Sequence, residues 1–375
     1  MAGLYLHIPF CRKACHYCNF HFSTDLSYVE RMVNAICDEI ELTADYLQVD
    51  TLETIYFGGG TPSVLSPIQL NRILSKVHNH YTITNNVEVT FEANPEDLTL
   101  EYCKELKSVG INRLSVGLQS FIADDLSFMN RSHDLNQART ALQHVRLANI
   151  DQLCTDLMFG LINSNMNQWQ NNLSELVKYE PDHISCYNLT IEEQTAFHKW
   201  NRQGKIKILE ETLQFDQFIQ AHEFLTGQGY DHYEISNFSL PGCRSRHNSA
   251  YWDHAKYLGV GPGAHSFDGT TRSWNPSNNQ KYLRSIEEGT LTKEQEVLSD
   301  QNLYNETIML CLRQAKGIKV SEVSTTFDNR IMQHFKLQAD KLIMQGLLID
   351  DDTHYRLGID NWYLADHISE QLFYT

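Results

Sequence analysis

The sequence lacks the long apolar segments of a membrane-spanning protein. No run of residues approaches the roughly 18 apolar positions that a transmembrane helix needs. The first ten residues also lack the basic start and the long apolar stretch of a secretory signal peptide. We therefore expect a cytoplasmic protein, for which any contact with a membrane would be peripheral.

Positive charge is also scarce. The 375 residues include 30 Lys and Arg against 47 Asp and Glu, a formal net charge of −17. Non-specific binding to nucleic acid needs Lys and Arg to displace counterions from phosphates, so nucleic acid is not an expected partner. Hydrophobic residues make up 42% and charged residues 21%, which is typical of a folded globular chain. This length predicts one large α/β domain with a smaller one.

Cysteine is too sparse for a secreted disulfide framework. There are nine cysteines, an odd number, and only three of them are clustered in the sequence. Five others stand in apolar or helical patterns and are expected to be buried thiols: Cys37, Cys103, Cys154, Cys186 and Cys311. The pattern indicates a metal site accompanied by scattered free thiols.

The first half of the chain alternates short apolar strands with amphipathic helices. Strands are predicted at 4–8, 54–57, 87–92, 113–117, 154–159 and 183–187. Helices are predicted at 28–46, 67–81, 100–109, 135–148 and 166–179, with Ser66 and Asp134 as N-caps. Crossovers of this length imply a parallel sheet. Six units fall short of the eight in a closed barrel, so the sheet is an open doubly wound array or a partial barrel.

The character of the sequence changes near Gly229. Residues 233–274 are rich in Gly, Asn, Ser, His and aromatics and show little helical periodicity. Helices are predicted again at 280–288, 301–312 and 330–345, followed by short strands at 347–349 and 355–357. This end resembles a winged-helix module, although an acidic turn at 350–353 argues against DNA as its target. We expect two domains, 1–229 and 230–375.

The clustered cysteines follow the first predicted strand in a CxxxCxxC pattern. They are Cys11, Cys15 and Cys18. Three thiolates can hold three irons of a 4Fe–4S cluster and leave the fourth iron open for a chelating cofactor. The alternative is a zinc site completed by a nearby histidine, for which His7, His16 and His21 are the candidates. Zinc ligands usually come in two separated pairs, which favours the iron–sulfur interpretation.

The cysteine pattern after Tyr5-Leu-His-Ile-Pro-Phe10 resembles the radical S-adenosylmethionine (SAM) superfamily. More narrowly, it resembles the branch similar to oxygen-independent coproporphyrinogen III oxidase. The resemblance implies an α/β fold, a partial (β/α)6 barrel, with a 4Fe–4S cluster at the C-terminal mouth of the first strand. It also implies SAM as cofactor and Tyr5 as one of the residues around it.

Two further motifs of this resemblance follow the second and third strands. Gly58-Gly59-Gly60-Thr61-Pro62 would contact the methionyl amine of SAM through Gly59, Gly60 and Thr61, although a plain glycine turn is the simpler alternative. Glu92 ends the third strand, where a carboxylate faces the mouth of the sheet. The resemblance implies that Glu92 contacts the ribose or amine of SAM.

Four more residues match positions that hold a second SAM in the oxidase relatives. They are Tyr17, Gln119, Arg131 and Asp156. Each of the last three ends or follows a predicted strand. For two of them a structural role is the alternative, because Arg131 could form a surface ion pair and Asp156 could cap a loop.

Two features separate the oxidase from a second function in this branch. The oxidase pattern continues to CxxxCxxCxC, and this sequence has Phe20 at the fourth cysteine position. The oxidase also carries an extension before its first strand, whereas Cys11 comes early here. The HNxxYW motif of HemW-type haem chaperones is complete, as His247-Asn248-Ser249-Ala250-Tyr251-Trp252. The expected function is therefore haem binding and delivery, with coproporphyrinogen oxidase as the alternative and oxidase activity expected to be absent.

A histidine among aromatic residues suits a haem, which needs an axial nitrogen and flat apolar surfaces. The expected haem residues are His247, Asn248, Tyr251 and Trp252, with Cys243, His254 and His265 as alternative ligands. The resemblance implies respiratory haem proteins as recipients, bacterioferritin-type haem donors and a homodimer. A radical SAM enzyme with another small substrate and a zinc-stabilised interaction module are the other classes considered.

Overall fold

A computed structural model describes residues 2–48 and 51–375. Six parallel strands follow one another along the first half: β1 Ala2–Ile8, β2 Thr51–Gly59, β3 Thr82–Ala93, β4 Arg113–Gln119, β5 Gln152–Phe159 and β6 His183–Asn188. They pair in chain order, each with the next. Most positions of β1 and β5 are buried, as expected for parallel strands covered on both faces.

Helices connect these strands and cover the sheet. They are α1 Val29–Leu42, α2 Pro67–His80, α3 Leu100–Ser108, α4 Ala123–Phe128, α5 Leu135–Leu147, α6 Met166–Leu176, α7 Ala196–Arg202 and α8 Glu211–Gly227. Both predicted caps are confirmed, since Ser66 and Asp134 each form a capping box with the glutamine three residues later. The first helix ends earlier than predicted, at Leu42, and the helix predicted to 179 tightens into a 3₁₀ turn at Val177–Tyr179.

The chain beyond residue 229 extends both edges of the same sheet. Six more strands complete a 12-stranded sheet: β7 Asp231–Glu234, β8 Asn237–Ser239, β9 Lys256–Val260, β10 His265–Phe267, β11 Thr271–Trp274 and β12 Glu294–Val297. Strand β9 pairs in parallel with β1, and β8 pairs antiparallel with β6. The division at residue 229 stays a prediction, because these strands share one sheet with those before them.

Residues 233–274 contain more regular structure than their sequence periodicity predicts. Besides β7 to β11, they include the helix α9, Arg246–Trp252, which is capped by Ser245. A helix of seven residues makes barely two turns, too short to leave a 3.6-residue periodicity. The short helix α9 is therefore compatible with the little helical periodicity of this part of the sequence.

The last part of the chain packs helices around a small antiparallel sheet. The helices are α10 Asn279–Glu287, α11 Asp300–Leu312, α12 Val320–Thr326, α13 Asn329–Met344, α14 Ile359–Trp362 and α15 Ala365–Glu370. The strands are β13 Ile318–Lys319, β14 Ile349–Asp350 and β15 His354–Arg356, in the order β13-β15-β14. The two predicted strands of this hairpin are present with shifted bounds, and β13 was not predicted.

Burial agrees with the expected role of the scattered cysteines. Cys37, Cys103, Cys154 and Cys186 are buried, and Cys311 is partly buried. Among the described residues, none of the helices has both the length and the apolar character needed to cross a membrane.

Candidate functional site

A cavity of about 370 Å³ lies where β1 to β6 end. The C-terminal ends of parallel strands meet at one edge of a sheet, so residues at six strand ends face a common space. The predicted residues that line this cofactor cavity are Cys11, Cys15, Cys18, Tyr17, Gly59, Gly60, Thr61, Glu92, Gln119, Arg131 and Asp156. The structure thus brings together every predicted cluster and SAM residue except Tyr5.

The loop that carries the three cysteines is anchored to the turn after α4. The amide of His16 donates to the carbonyl of Met129 at 3.0 Å, and His16 Nδ1 lies 2.8 Å from the carbonyl oxygen of Phe128. Asn130, with a φ of 59°, donates from its side chain to the carbonyl of Ala14 at 2.7 Å. These hydrogen bonds to backbone carbonyls fix the loop without using the thiols.

Polar groups approach two of the thiols directly. Thr61 Oγ1 donates to Cys11 Sγ at 3.3 Å, and Arg131 Nη1 donates to Cys15 Sγ at 3.4 Å. Burial raises the pKa of Cys11 to about 12 and also raises the pKa of Cys18, while the charge of Arg131 acts in the opposite direction on both. Three thiols facing one cavity, with a cation beside them to offset thiolate charge, fit a 4Fe–4S cluster.

Two of the histidines considered for a zinc site make other contacts. His16 bonds the Phe128 carbonyl and packs against Trp200, and His7 Nε2 lies 2.9 Å from the carbonyl oxygen of His21.

The glycine turn after β2 allows a close approach of two strand ends. A Cβ on Gly60 would lie 2.6 Å from the carbonyl oxygen of Phe10, and Gly59 has a φ of 111°. The amide of Gly60 donates to the carbonyl of Ile8 at 2.9 Å. Glycine is therefore required for packing here, and the same residues face the cofactor cavity.

Two buried carboxyl groups face the cavity. Burial raises the pKa of Glu92 to about 7, although the hydroxyl of Tyr56 donates to Glu92 Oε1 at 2.6 Å. Burial likewise raises the pKa of Asp156 to about 6. A ligand with a cationic or hydrogen-bond-donating group would favour the ionised form of both.

The structural alternatives for Arg131 and Asp156 are wrong. The guanidinium of Arg131 turns into the cavity, where Nη2 donates to Asn94 Oδ1 at 2.8 Å and to the carbonyl of Gly117 at 2.7 Å. Asp156 stands within β5 and bonds Ser185 on the neighbouring strand β6, so it caps no loop. Both side chains belong to the cavity wall.

Gln119 owes its direction to a local irregularity of the sheet. The register of β4 against β5 shifts between Gly117 and Gln119, and Gln119 has a φ of 71°. A bulge of this kind re-aims a side chain, and such backbone strain clusters at functional sites. Sequence reasoning missed other lining residues, among them Asn94, Ser115, Met158 and Tyr187. The same strand-end rule would have found Asn94 and Tyr187.

The motif histidine is buried under the barrel wall. His247 is 2% exposed, its Nδ1 lies 2.8 Å from Thr54 Oγ1, and its Nε2 lies 2.9 Å from the hydroxyl of Tyr251. Its ring stacks on Tyr56 with centroids 4.9 Å apart. Burial lowers the pKa of His247 to about 3, so the ring is neutral. Neither ring nitrogen is open to a ligand in this arrangement.

The other motif residues point to different places. Asn248 lines a small polar cavity of about 40 Å³ inside the barrel, together with Glu92 and Asp156. Tyr251 lines a separate cavity of about 660 Å³, which is called the outer cavity below. Trp252 accepts a hydrogen bond at its carbonyl from Gln314 Nε2 at 3.4 Å. The four expected haem residues therefore do not surround one space.

Tyr5 and the alternative haem ligands lie around the outer cavity or apart from it. Tyr5 lines the outer cavity, not the cofactor cavity, and its hydroxyl lies 3.2 Å from His7 Nδ1. His254 and His265 also line the outer cavity. Cys243 lines neither and lies beside Arg113, which donates to its carbonyl at 3.0 Å.

Comparison with known proteins gives consistent matches along the chain. The profile of the Radical SAM superfamily matches residues 5–176, and that of the HemN C-terminal domain matches residues 298–358. Heme chaperone HemW of Lactococcus lactis is 30% identical over 98% of this chain and 96% of that protein. Heme chaperone HemW of Synechocystis is 35% identical over 84% of this chain and 78% of that protein.

A solved structure supports the same fold. Coproporphyrinogen III oxidase (HemN) of Escherichia coli superposes with a TM-score of 0.85 at 21% identity, covering 99% of this chain and 90% of that one. The expected partial (β/α)6 barrel with a smaller C-terminal part is thereby confirmed.

Proposed function

This chain belongs to the HemW family of radical SAM proteins, and we propose that it works as a haem chaperone. In this proposal it holds a 4Fe–4S cluster with bound SAM, binds haem, and delivers the haem to haem-dependent proteins. The observation that carries the proposal is the meeting of two motifs. The cluster loop lines the cofactor cavity, Tyr251 of the HNxxYW helix lines the outer cavity, and Phe20 lines both.

Cys11, Cys15 and Cys18 would ligate the cluster, and SAM would complete it. The cluster and SAM together supply redox chemistry at the open iron. The glycine turn and Thr61 would hold the methionyl end of SAM. Glu92 would accept hydrogen bonds from the amine or ribose of SAM.

Four further residues of the cofactor cavity would hold the remainder of SAM or a second molecule of it. They are Tyr17, Gln119, Arg131 and Asp156. Arg131 orients this part of the cavity through its bonds to Asn94 and Gly117. The same side chain offers its charge to the thiols, so cluster assembly and cofactor orientation depend on one residue.

The HNxxYW motif would serve haem from a helix packed against β1 and β2. Tyr251 lines the outer cavity, and its hydroxyl lies 2.9 Å from Nε2 of the buried His247. Asn248 faces the interior near Glu92, and Trp252 packs at the helix end. The motif thus links the barrel interior to the surface where haem would bind.

The expected partners follow from the family. Haem-requiring recipients, respiratory ones among them, would take haem from this chain, and bacterioferritin-type proteins would donate it. We place this exchange in the cytoplasm, with peripheral membrane contact and a homodimer as part of the proposal. The charge balance of −17 gives no reason to add nucleic acid.

The first test is anaerobic reconstitution of the cluster followed by titration with haemin, with and without SAM. We expect a brown protein with about one 4Fe–4S cluster per chain, as three thiolates allow, and saturable haem binding. The triple variant Cys11→Ser, Cys15→Ser, Cys18→Ser should lack the brown absorbance of the cluster. His247→Leu or Tyr251→Phe should weaken haem binding and leave the non-haem iron of the cluster unchanged.

The outcomes separate the candidate functions. A colourless protein that takes up zinc would defeat the cluster proposal. Conversion of coproporphyrinogen III to protoporphyrinogen without specific haem binding would assign the oxidase function instead, despite Phe20 at the fourth cysteine position.

A further inference from the structure

The floor of the outer cavity is an aromatic face of the sheet. Side chains alternate along a strand, so His265 and Phe267 of β10 project to the cavity, whereas the intervening Ser266 is buried. Trp274 stands opposite His265, and Tyr257 opposite Phe267. Flat apolar rings on one face are the surface against which a tetrapyrrole packs.

Among the described histidines that line this cavity, His265 alone has both ring nitrogens without a hydrogen-bond partner. His7 is bonded at both ring nitrogens, whereas His254 Nε2 lies 3.1 Å from Thr307 Oγ1 and His21 Nε2 lies 2.7 Å from Asn279 Oδ1. His265 is exposed, and its ring stacks on Trp274 with centroids 5.6 Å apart. Neither of its ring nitrogens makes a hydrogen bond to any residue in the described ranges. An axial haem ligand needs such an accessible nitrogen.

The motif histidine does not meet this requirement. His247 is buried with both nitrogens bonded, and ligation through Nε2 would first break its contact with Tyr251. Its contribution is to hold Tyr251, which lines the cavity, through the contact between its Nε2 and the Tyr251 hydroxyl. His247 is in this respect a positioning residue.

The wall facing this floor comes from the cluster loop. Phe20 is 69% exposed and lines both the outer cavity and the cofactor cavity. A macrocycle in the outer cavity would cover this ring. The volume of about 660 Å³ falls within the range of cofactor and ligand pockets, roughly 300–1,000 Å³.

We infer that haem binds in the outer cavity with His265 as its iron ligand, an inference that rests on the proposed function. The macrocycle packs between the aromatic face of β9 to β11 and Phe20. Tyr251, held by His247, borders the same space. Haem is thereby bound next to the cofactor cavity, with Phe20 between the two.

The test is anaerobic haem titration of the cluster-loaded protein, read by the Soret band and by electron paramagnetic resonance of the ferric haem. We expect His265→Ala and His265→Gln to change the ligation spectrum and to weaken affinity by more than about tenfold. His254→Ala should keep the wild-type spectrum. His367→Ala, at an exposed histidine of α15, is the control for non-specific binding.

The Phe20→Ala variant separates packing from ligation. We expect weaker haem affinity with an unchanged ligation spectrum, and iron content equal to wild type. Wild-type spectrum and affinity in both His265 variants would overturn the inference and leave the chaperone function standing. The inference would also be overturned if His247→Ala or His254→Ala, and not the His265 variants, changed the ligation spectrum. Absence of haem binding by the wild type would instead defeat the proposed function.

Discussion

Replacement of Glu39 by Gln should destabilise the fold strongly, because this carboxylate is buried and fully used. It is 0% exposed and accepts from the amide of Gly261 at 2.8 Å, Asn275 Nδ2 at 2.7 Å and the Tyr282 hydroxyl at 2.8 Å. Lys293 Nζ lies 3.4 Å from the same carboxylate. These contacts tie α1 to the β9–β10 turn and to α10.

The magnitude follows from the number of donors. Each carboxylate oxygen faces two donor groups, so the amide of Gln must direct its own N–H groups at donors whichever way it is turned. Removing one partner of a buried charged network lowers the free energy of unfolding by about 3–5 kcal/mol. The β9–β10 turn leads into His265, so haem affinity should fall along with stability.

The assay is urea unfolding at pH 7, followed by circular dichroism, with equal slopes required for comparison. Glu41→Gln on the same helix is the matched control, because Glu41 is exposed and pairs only at the surface with Lys76. We expect the control midpoint to match wild type and the Glu39 variant to unfold at clearly lower urea. Equal midpoints for the two variants would refute the assignment of Glu39 as a buried structural anion.

Three further predictions concern the cofactor cavity. The affinity for SAM, measured by calorimetry on the cluster-loaded protein, should rise from pH 6 to pH 8 as Glu92 ionises around its raised pKa of about 7. Glu92→Gln should reduce that rise to the part contributed by Asp156, whose pKa is raised to about 6, and a pH-independent wild type would count against this. Arg131→Met should lower the iron content per chain because Cys15 loses its cationic neighbour. Arg131→Lys keeps a charge and should give an intermediate iron content, and a fully loaded Arg131→Met variant would disprove this. Tyr56→Phe should weaken SAM binding because the hydrogen bond to Glu92 is lost. It should keep the haem affinity because the ring still stacks on His247, and equal losses of SAM and haem affinity would contradict this.

Most of the cofactor cavity could be predicted because its residues obey a local rule. Glu92 and Asp156 stand on apolar parallel strands, and Gly59 ends one. Parallel strands place such residues at a common edge, so sequence order alone gathers them. Gln119 needed a bulge as well, which leaves no mark in hydrophobic periodicity.

The environment of the HNxxYW motif could not be predicted in the same way. His247 meets Thr54, which lies 193 positions earlier in the sequence. That contact depends on β9 pairing with β1, a long-range event without a periodic signature. A motif specifies residue types, whereas only the packed helix decides that His247 faces inward and Tyr251 faces the outer cavity.

The aromatic face around His265 escaped notice for a related reason. Strand β10 has three residues and β11 has four, too few for alternation to stand out among loop residues. Their pairing creates the face, because it sets Trp274 beside His265. From the sequence His265 was one of several alternative haem ligands, and only the folded chain shows which residues surround it.

The most direct test of the chaperone account is haem transfer. The cluster-loaded protein is charged with haem, mixed anaerobically with a haem-free cytochrome b, and followed by the Soret shift of the acceptor, with and without SAM. The account predicts that haem passes to the acceptor and that the same preparation, given coproporphyrinogen III and a reductant, leaves that substrate unchanged. Retention of haem in the presence of the acceptor, together with decarboxylation of coproporphyrinogen III, would contradict it.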